Sequence, residues 1–387
     1  MRFTTIEMLE HLVGFDTVSR TSNLDLIDFV ANYLADLGVE AEIDYKDDRT
    51  RANLYATVGP QDVGGIALSG HTDVVPVAGQ PWTTDPFRLV PNGERLHGRG
   101  TVDMKGFIAG ALALLPELLE QGSLAIPIHL ALSYDEEVGC IGVRSLIDQL
   151  AVRDVRPRQV IVGEPTSMAT VCAHKGKASY RCHVRGHEAH SALTDRGVNA
   201  IEAAAEVITF LRRLGDEIRD DKQQHDAAFD PPYSTVHTGL IQGGTQLNII
   251  PRDCYFDFEF RCLPGQDSDQ LLARTEQFAA QLEVAMQQVV ADTGFTWEEI
   301  SSIPGFEAGA GALDLVDRLR NAAGEPLKVS YGTEAGLFQR GGMPAVVCGP
   351  GSIRQAHKPD EYIELSELTA LEELLRKLFA HCAAGER

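Results

Sequence analysis

The sequence predicts an α/β protein in which a mixed sheet flanked by helices is interrupted by a smaller α+β insertion. The chain has 387 residues, more than a single hydrophobic core usually organises. In its first half, apolar runs of strand length alternate with helix-like stretches, which is typical of a sheet with helices on both faces. After Gly176 the pattern changes. We therefore predict a main domain of residues 1–176 and 303–387, and an inserted domain of residues 177–302.

The elements of the main domain follow from periodicity and capping signals. Thr4 and Glu7 form a capping-box pattern ahead of a first helix. Ser22 is the expected cap of a second helix, which stops at Gly38. After Asp103, a helix-like stretch is expected through Leu119. Apolar runs predict strands over 39–45, 53–58, 65–69, 126–133, 159–162 and 344–348, and a further helix is expected over 313–322.

The insertion has a different order of elements. Strand-like and helix-like segments follow one another as β-α-β-β-α-β, at residues 177–185, 199–214, 234–241, 255–262, 267–290 and 296–302. This order is that of a ferredoxin-like α+β domain.

Composition and charge exclude several classes of protein. The formal net charge of −22 would repel phosphate backbones, so no nucleic-acid partner is expected. Seven cysteines without a CxxC motif argue against a disulfide framework or a thiolate zinc site and fit a reducing cytoplasm. The N-terminal residues lack the pattern of a signal peptide. No apolar run is long enough to span a bilayer, so no membrane partner is expected.

Five segments place a histidine or an acid after an apolar run or at a glycine-rich turn. They are LSGHTD with His71, GRGTVDMKG with Asp103, SYDEEVG with Glu136 and Glu137, VGEPT with Glu164, and GPGSIRQAH with His357. Taken singly, each has a simpler explanation: a surface turn, a helix cap or a solvated loop. Together they predict a ligand cluster at the sheet edge, where open α/β sheets bind ligands. Nitrogen and oxygen ligands suit Zn²⁺, Co²⁺ or Mn²⁺ and argue against Fe–S clusters or Cu(I).

The motifs SGHTDVVP, GRGTVDMKG, SYDEEVGCIG and GEPT occur in this order. In this combination the chain resembles the M20 family of metallopeptidases and amidohydrolases over nearly its whole length. The resemblance implies a catalytic domain with two divalent metal ions, Zn²⁺ foremost with Co²⁺ as an alternative. It also implies that the insertion is a dimerisation or lid domain, so that the protein forms a homodimer, and that a small molecule with an amide bond is the substrate.

The resemblance also implies metal-binding roles. His71 and Glu164 would hold one ion, Glu137 and His357 the other, and Asp103 would bridge the two. A non-catalytic binding relative would have lost some of these residues, whereas every expected position is filled here.

Three catalytic roles follow from the same resemblance. Glu136 would be the general base, and Asp73 would orient His71. A histidine of the insertion would act at the active site of the partner subunit; His190 is our choice, and His187 is the alternative in the same segment.

Three further residues are expected to bind the substrate. Arg261 and Asn248 match positions of the inserted domain that hold a substrate carboxylate in relatives, and a guanidinium fork suits a carboxylate. A surface ion pair is the alternative role for Arg261. Glu334 is the candidate partner for a cationic side chain of the substrate, with a solvated loop acid as the alternative.

Overall fold

A computed structural model describes residues 2–120, 122–309, 311–313, 315 and 326–384. The chain divides into two compact units. The first comprises Met1–Cys172, Glu307–Leu327 and Thr333–Arg387, and the second comprises Ala173–Phe306 and Lys328–Gly332. Most of the helix predicted over 313–322 lies outside the described residues.

The first half of the chain folds into helices and strands in alternation. They are α1 (Thr5–Val13), α2 (Leu24–Asp36), β1 (Ala41–Tyr45), β2 (Ala52–Val58), β3 (Ile66–His71), β4 (Val90–Asn92), β5 (Arg95–His97), α3 (Lys105–Ala113), α4 (Leu115–Glu120), β6 (Ile128–Ser133), α5 (Val143–Ala151), β7 (Gln159–Val162) and β8 (Val171–His174).

The middle of the chain contributes β9 (Gly176–Arg185), α6 (Ala200–Asp220), a 3₁₀ turn (Lys222–Gln224), β10 (Thr235–Gly243), β11 (Asp253–Cys262), α7 (Ser268–Val289) and β12 (Gly294–Ile303). The remaining described elements are β13 (Phe306–Glu307), β14 (Leu327–Val329), α8 (Ala335–Arg340), β15 (Ala345–Val347), β16 (Tyr362–Glu364) and α9 (Leu365–Ala384).

The main sheet has the strand order β1-β2-β6-β3-β7-β15-β8-β13, with β14 paired to β8. Its centre is parallel: β3 pairs in parallel with β6 and β7, and β15 pairs in parallel with β7. β1, β2 and β8 pair antiparallel, so the sheet is mixed, as predicted. Every residue of β3 and β6 is buried, in keeping with a sheet covered on both faces. The carboxyl ends of the four parallel strands therefore meet at one edge.

The expected starts of the first and third helices are confirmed, and the expected cap of the second is wrong. The hydroxyl of Thr4 accepts from the backbone N–H of Glu7, whose carboxylate accepts from Thr4 N, which confirms the capping box of α1. Helix α2 starts after Asn23, and Ser22 only accepts from Leu24 N at 3.2 Å. The helical stretch expected after Asp103 begins at Lys105, with Met104 as its N-cap, and consists of α3 and α4. The carboxylate of Asp103 is therefore not the cap of that helix.

The second unit contains a four-stranded antiparallel sheet in the order β10-β11-β9-β12. With α6 and α7 between the strands, this is the ferredoxin-like order that the sequence predicts. Alternate residues of β11 are buried. Phe256, Phe258 and Phe260 pack in one core with Ala204 and Leu211 of α6. The opposite face of this strand carries charged side chains.

All seven cysteines are free thiols. Among the described helices, none is long and apolar enough to cross a membrane.

Candidate metal centre

The parallel strands deliver acidic and histidine side chains to one edge of the main sheet. His71 is the last residue of β3, and its side chain is buried. Glu136 and Glu137 follow β6, and Glu164 follows β7. Each strand is held in register by its parallel neighbours, so these side chains are positioned by the backbone ladder of the sheet.

Asp103 lies between the two histidines of the cluster. Its Oδ1 is 3.0 Å from Nε2 of His71, and its Oδ2 is 3.2 Å from Nε2 of His357. One oxygen therefore faces each histidine, and the carboxylate is 5% exposed. A carboxylate in this position can serve two cations at once.

Glu137 and Glu164 complete the cluster on opposite sides of Asp103. Glu137 Oε2 lies 3.0 Å from Nε2 of His357, and Glu164 Oε1 lies 3.8 Å from Nε2 of His71. This pairing is the one that the resemblance implied: Glu164 lies with His71, and Glu137 lies with His357.

Among the residues that the structure describes, two groups of three have ligand atoms that all lie within 4.8 Å of one another. One contains His71, Asp103 and Glu137, and the other contains His71, Glu136 and Glu164. The sequence assigned Glu136 a role without metal contact, although its carboxylate is close enough to belong to the second group.

Asp73 acts on its surroundings differently from the prediction. Nδ1 of His71 is 2.8 Å from the backbone carbonyl oxygen of Asp73, whereas the Asp73 carboxylate is 3.7 Å from that nitrogen. Asp73 thus orients His71 through its main chain. Its carboxylate accepts from Glu136 N at 2.9 Å and from the Ser19 hydroxyl at 2.7 Å. The side chain therefore fixes the loop that follows β6.

The cluster carries more negative charge than its histidines compensate. Burial and the neighbouring Asp103 raise the pKa of Glu164 well above its usual range, and burial and Asp103 also raise the pKa of Glu137. Burial alone would lower the pKa of His71, but Asp103 and Glu164 raise it well above its usual range. Crowded buried carboxylates of this kind are stabilised by bound cations. The donor set of imidazole and carboxylate groups fits divalent ions such as Zn²⁺.

Glu136 has the environment of a carboxyl group that can exchange a proton near neutral pH. Burial raises its pKa to about 8, with the nearby Glu137 and Glu334 adding to the effect and His71 opposing it. The Cys140 thiol donates to Glu136 Oε1 at 3.1 Å. Cys140 was missed by the sequence analysis, although it lies four residues after Glu136, within the same SYDEEVGCIG motif.

Glu334 is not placed as predicted. Its carboxylate is 1% exposed and accepts from the hydroxyls of Ser69, on β3, and Ser133, on β6. Burial raises the pKa of Glu334 to about 7. The side chain therefore contacts two strands of the sheet and presents no open face to a substrate cation, and we correct that prediction.

The other predicted substrate residues lie in the second unit. His190 and Asn248 are exposed and adjacent: His190 bridges to Ile249, and Ser191 N donates to the carbonyl oxygen of Asn248 at 3.1 Å. The alternative residue, His187, is also exposed and pairs with Val198.

Arg261 lies at the other end of the same sheet. It pairs with Lys177 at the start of β9, whereas Asp253, at the beginning of β11, pairs with Arg185 at the end of β9. β11 has 10 residues, so its ends are separated by about 30 Å. The Arg261 guanidinium donates to Glu259 Oε1 at 2.9 Å and stays partly exposed, so it forms the ion pair considered as its alternative role.

Comparison with known proteins shows the family to which the chain belongs. Residues 67–381 match peptidase family M20/M25/M40. The chain belongs to this family. An acetylornithine deacetylase from Photorhabdus laumondii is 35% identical over 97% of this chain and 96% of its own length.

Solved structures of M20 members share the fold. A metallo-carboxypeptidase of the M20 family from Sulfolobus solfataricus superposes with a TM-score of 0.76 at 16% identity, covering 97% of this chain and 98% of its own. A dinuclear metal-binding peptidase of the M20 family from Bacillus subtilis has a TM-score of 0.64 at 15% identity, covering 99% and 98%. The protein is thus an M20 family hydrolase, with the α/β fold predicted from its sequence.

Proposed function

We propose that this M20 hydrolase cleaves the amide bond of N2-acetyl-L-ornithine to give acetate and L-ornithine, a step of arginine biosynthesis. The observation that carries the reaction type is the buried cluster in which Asp103 lies between His71 and His357. Support for the substrate comes from the acetylornithine deacetylase that is 35% identical. The segments GPGSIRQAHKPDEY (349–362) and GTEAGLFQ (332–339) also resemble acetylornithine deacetylases.

Two divalent ions, Zn²⁺ or Co²⁺, fit the ligand set. His71 and Glu164 would hold one, Glu137 and His357 the other, and Asp103 both. When bound, the ions would supply Lewis-acid charge that favours deprotonation of water and polarises the amide carbonyl.

Glu136 is the proposed general base. Its side chain lies beside the cluster and is held by the thiol of Cys140. The carboxylate would accept a proton from the attacking water at one oxygen and return it to the nitrogen of the leaving amine. Burial raises the pKa of Glu136 to about 8 in the protein without metal ions. A higher pKa makes the carboxylate a stronger base, which favours the first of the two transfers.

Glu136→Gln should retain both metal ions and lose nearly all turnover, at least about 10²-fold, because the amide cannot carry the proton. Metal content by mass spectrometry and kcat on N-acetylornithine would be measured together. Turnover comparable to wild type in a variant with full metal content would contradict the assignment.

Arg261 is the proposed partner of the substrate carboxylate, because its guanidinium is partly exposed and held by a single carboxylate, Glu259. Arg261→Ala should raise KM about tenfold or more without changing metal content. Arg181 is a matched control: it lies on the same face, on the neighbouring strand β9, and is paired with Asp257 at 2.7 Å. An unaltered KM in Arg261→Ala would exclude the role.

We further propose that the second unit, which includes residues 177–302, is the dimerisation and lid domain. His190 and Asn248 would then serve the active site of a partner subunit. The roughly 30 Å between the ends of β11 support this, since an acyl amino acid is only roughly 10 Å long at bond lengths of about 1.5 Å. One substrate cannot contact His190 and Arg261 of the same chain.

The decisive experiment is an assay for acetate release from N2-acetyl-L-ornithine by purified protein, before and after chelation, with Zn²⁺ or Co²⁺ restored. Release that stops on chelation and returns with metal supports the proposal. Other N-acyl amino acids, succinyl-diaminopimelate and dipeptides form the comparison panel. Preference for one of these would replace the proposed substrate and leave the M20 hydrolase assignment intact.

A further inference from the structure

A buried ion pair joins two of the loops that carry candidate metal ligands. Arg99 lies in the turn before Asp103, and Glu361 lies shortly after His357. Nη1 of Arg99 donates to Glu361 Oε2 at 2.6 Å, and both side chains are 1% exposed. The backbone N–H of Gly98 also donates to the carbonyl oxygen of Glu361 at 3.0 Å.

The second oxygen of Glu361 holds the main chain at Asp103. Glu361 Oε1 accepts from the backbone N–H of Val102 at 3.0 Å and from that of Asp103 at 3.3 Å. One carboxylate thus satisfies two backbone donors and the guanidinium. The orientation of Asp103 therefore depends on a residue of the loop that carries His357.

Arg99 extends the connection to His357 itself. Its Nη1 also donates to the carbonyl oxygen of Lys358 at 3.3 Å, and its Nη2 donates to Oε1 of Gln80 at 2.6 Å. Nε2 of Gln80 donates in turn to the carbonyl oxygen of His357 at 3.0 Å. The guanidinium therefore contacts the His357 loop directly at Lys358 and, through Gln80, at His357.

Some of the candidate metal ligands are positioned by strand pairing and others by contacts between loops. His71 is the end of a buried strand with parallel neighbours on both sides, and Glu164 closely follows another. His357 lies in a loop, in the left-handed region at φ 63°, with half of its side chain exposed. Only contacts between loops can fix its distance to Asp103. A buried ion pair contributes little net stability, so positioning is the more specific role for Arg99 and Glu361.

We propose that Arg99 and Glu361 form a positioning pair that sets the affinity of the ion held by Asp103, Glu137 and His357. The ion held by His71 and Glu164 would depend on the pair far less. This inference rests on the metal centre of the proposed function.

The test is a titration of metal-depleted full-length protein with Zn²⁺ against a competing chelator dye, which gives two stepwise dissociation constants. In Glu361→Gln, one of the two dissociation constants should rise about 10–100-fold, the usual effect of losing a group that orients metal ligands. The other should stay within about threefold of its wild-type value. When Co²⁺ replaces Zn²⁺, the variant should lack the absorption of one of the two bound ions at a free Co²⁺ concentration at which wild type shows both.

Glu364→Gln is the matched control, because Glu364 and Arg95 form an exposed ion pair between neighbouring positions of the same two segments. Both of its constants should equal those of wild type. Unfolding temperatures of the metal-free proteins would show whether Glu361→Gln folds. If it does not, Gln80→Ala decides: Gln80 lies near the surface, and its loss should weaken the same step by a smaller factor.

Equal weakening of both steps in Glu361→Gln, or of neither, would overturn the positioning role while leaving the metal centre in place. A wild-type protein that binds no Zn²⁺ would overturn the metal centre, and this inference with it. Weakening in Glu364→Gln as large as in Glu361→Gln would show a general effect of charge and would also overturn the inference.

Discussion

At the scale of single residues, Asp73 links the strand that ends in His71 to the loop that carries Glu136 and Glu137. Its carboxylate accepts from Glu136 N, and its carbonyl oxygen contacts His71. Both contacts come from a residue two positions after His71, so a short motif positions a ligand and the proposed base together. Fixing such groups is commonly worth 10–100-fold in metal affinity or activity.

Asp73→Asn should therefore lower kcat about tenfold or more. The carboxylate accepts hydrogen bonds from a backbone N–H and a hydroxyl, and the NH2 group of the asparagine would place a donor against these donors. Ser19→Ala, which removes one donor to the same carboxylate, should have a smaller effect. Steady-state kinetics and metal content would be measured for both variants. Wild-type kcat and metal content in Asp73→Asn would show that the loop is held by other contacts.

The sequence predicted which residue types would gather, since His71, Asp103 and Glu164 each follow a strand signal or a glycine turn. It did not predict their finer roles. The Asp73 carbonyl, the burial of Glu334 by Ser69 and Ser133, and the Arg99–Glu361 pair depend on contacts between distant segments. Such contacts leave no periodic or capping signal in the chain.

At the scale of elements, β6 carries a buried histidine that the proposed chemistry does not use. His129 Nδ1 is 2.9 Å from the Thr57 hydroxyl, and its ring stacks on Tyr55. Nε2 meets no hydrogen-bond partner among the residues that the structure describes. Burial, with some repulsion from Arg153, lowers the pKa of His129 to about 4. The folded state therefore favours the neutral ring.

The sign of the pH effect follows from linkage. In the unfolded chain, His129 is protonated below about pH 6.5. In the folded chain its pKa is about 4, so it stays neutral until the pH falls to that value. The stabilising effect of the neutral ring is thus complete above pH 6.5 and is lost towards pH 4. Between pH 7 and pH 5 this lowers the free energy of unfolding by about 2 kcal/mol.

His129→Gln should remove this pH dependence while keeping a side chain that can bond the Thr57 hydroxyl. Urea unfolding of the metal-free protein at pH 7 and pH 5 would measure it. The free energy of unfolding of wild type should fall by about 2 kcal/mol more than that of the variant between pH 7 and pH 5. Equal losses in the two proteins would mean that His129 titrates normally in the fold.

The accuracy of the predicted elements did not follow their length. β7 (Gln159–Val162) has the predicted bounds, and α7 (Ser268–Val289) differs by one residue at each end. The three-residue strands β4, β5 and β16, which form a small sheet, were missed, because three residues cannot show a period. Helix α9 (Leu365–Ala384) was also missed, although its buried leucines recur at helical spacing.

At the scale of the whole molecule, the separation of Arg261 and His190 at opposite ends of one sheet predicts that each active site needs two chains. Active wild-type protein should therefore sediment as a dimer. Neither His190→Ala nor Glu136→Gln homodimers should turn over substrate well, because every site lacks one group. In a heterodimer of the two, one site would combine an intact Glu136 with an intact His190 from the other chain.

Co-expression of His190→Ala and Glu136→Gln chains, with random pairing, should therefore restore roughly a quarter of wild-type activity, since half of the dimers contain one complete site of two. Purification through two different affinity tags would isolate the heterodimer and should raise this to about half. The pair Glu136→Gln and His71→Ala is the control: both groups come from the same chain, so no site is complete and no activity returns. A purified His190→Ala/Glu136→Gln heterodimer without activity would place His190 in the active site of its own chain, whereas wild-type activity in the His190→Ala homodimer would place it outside the active site.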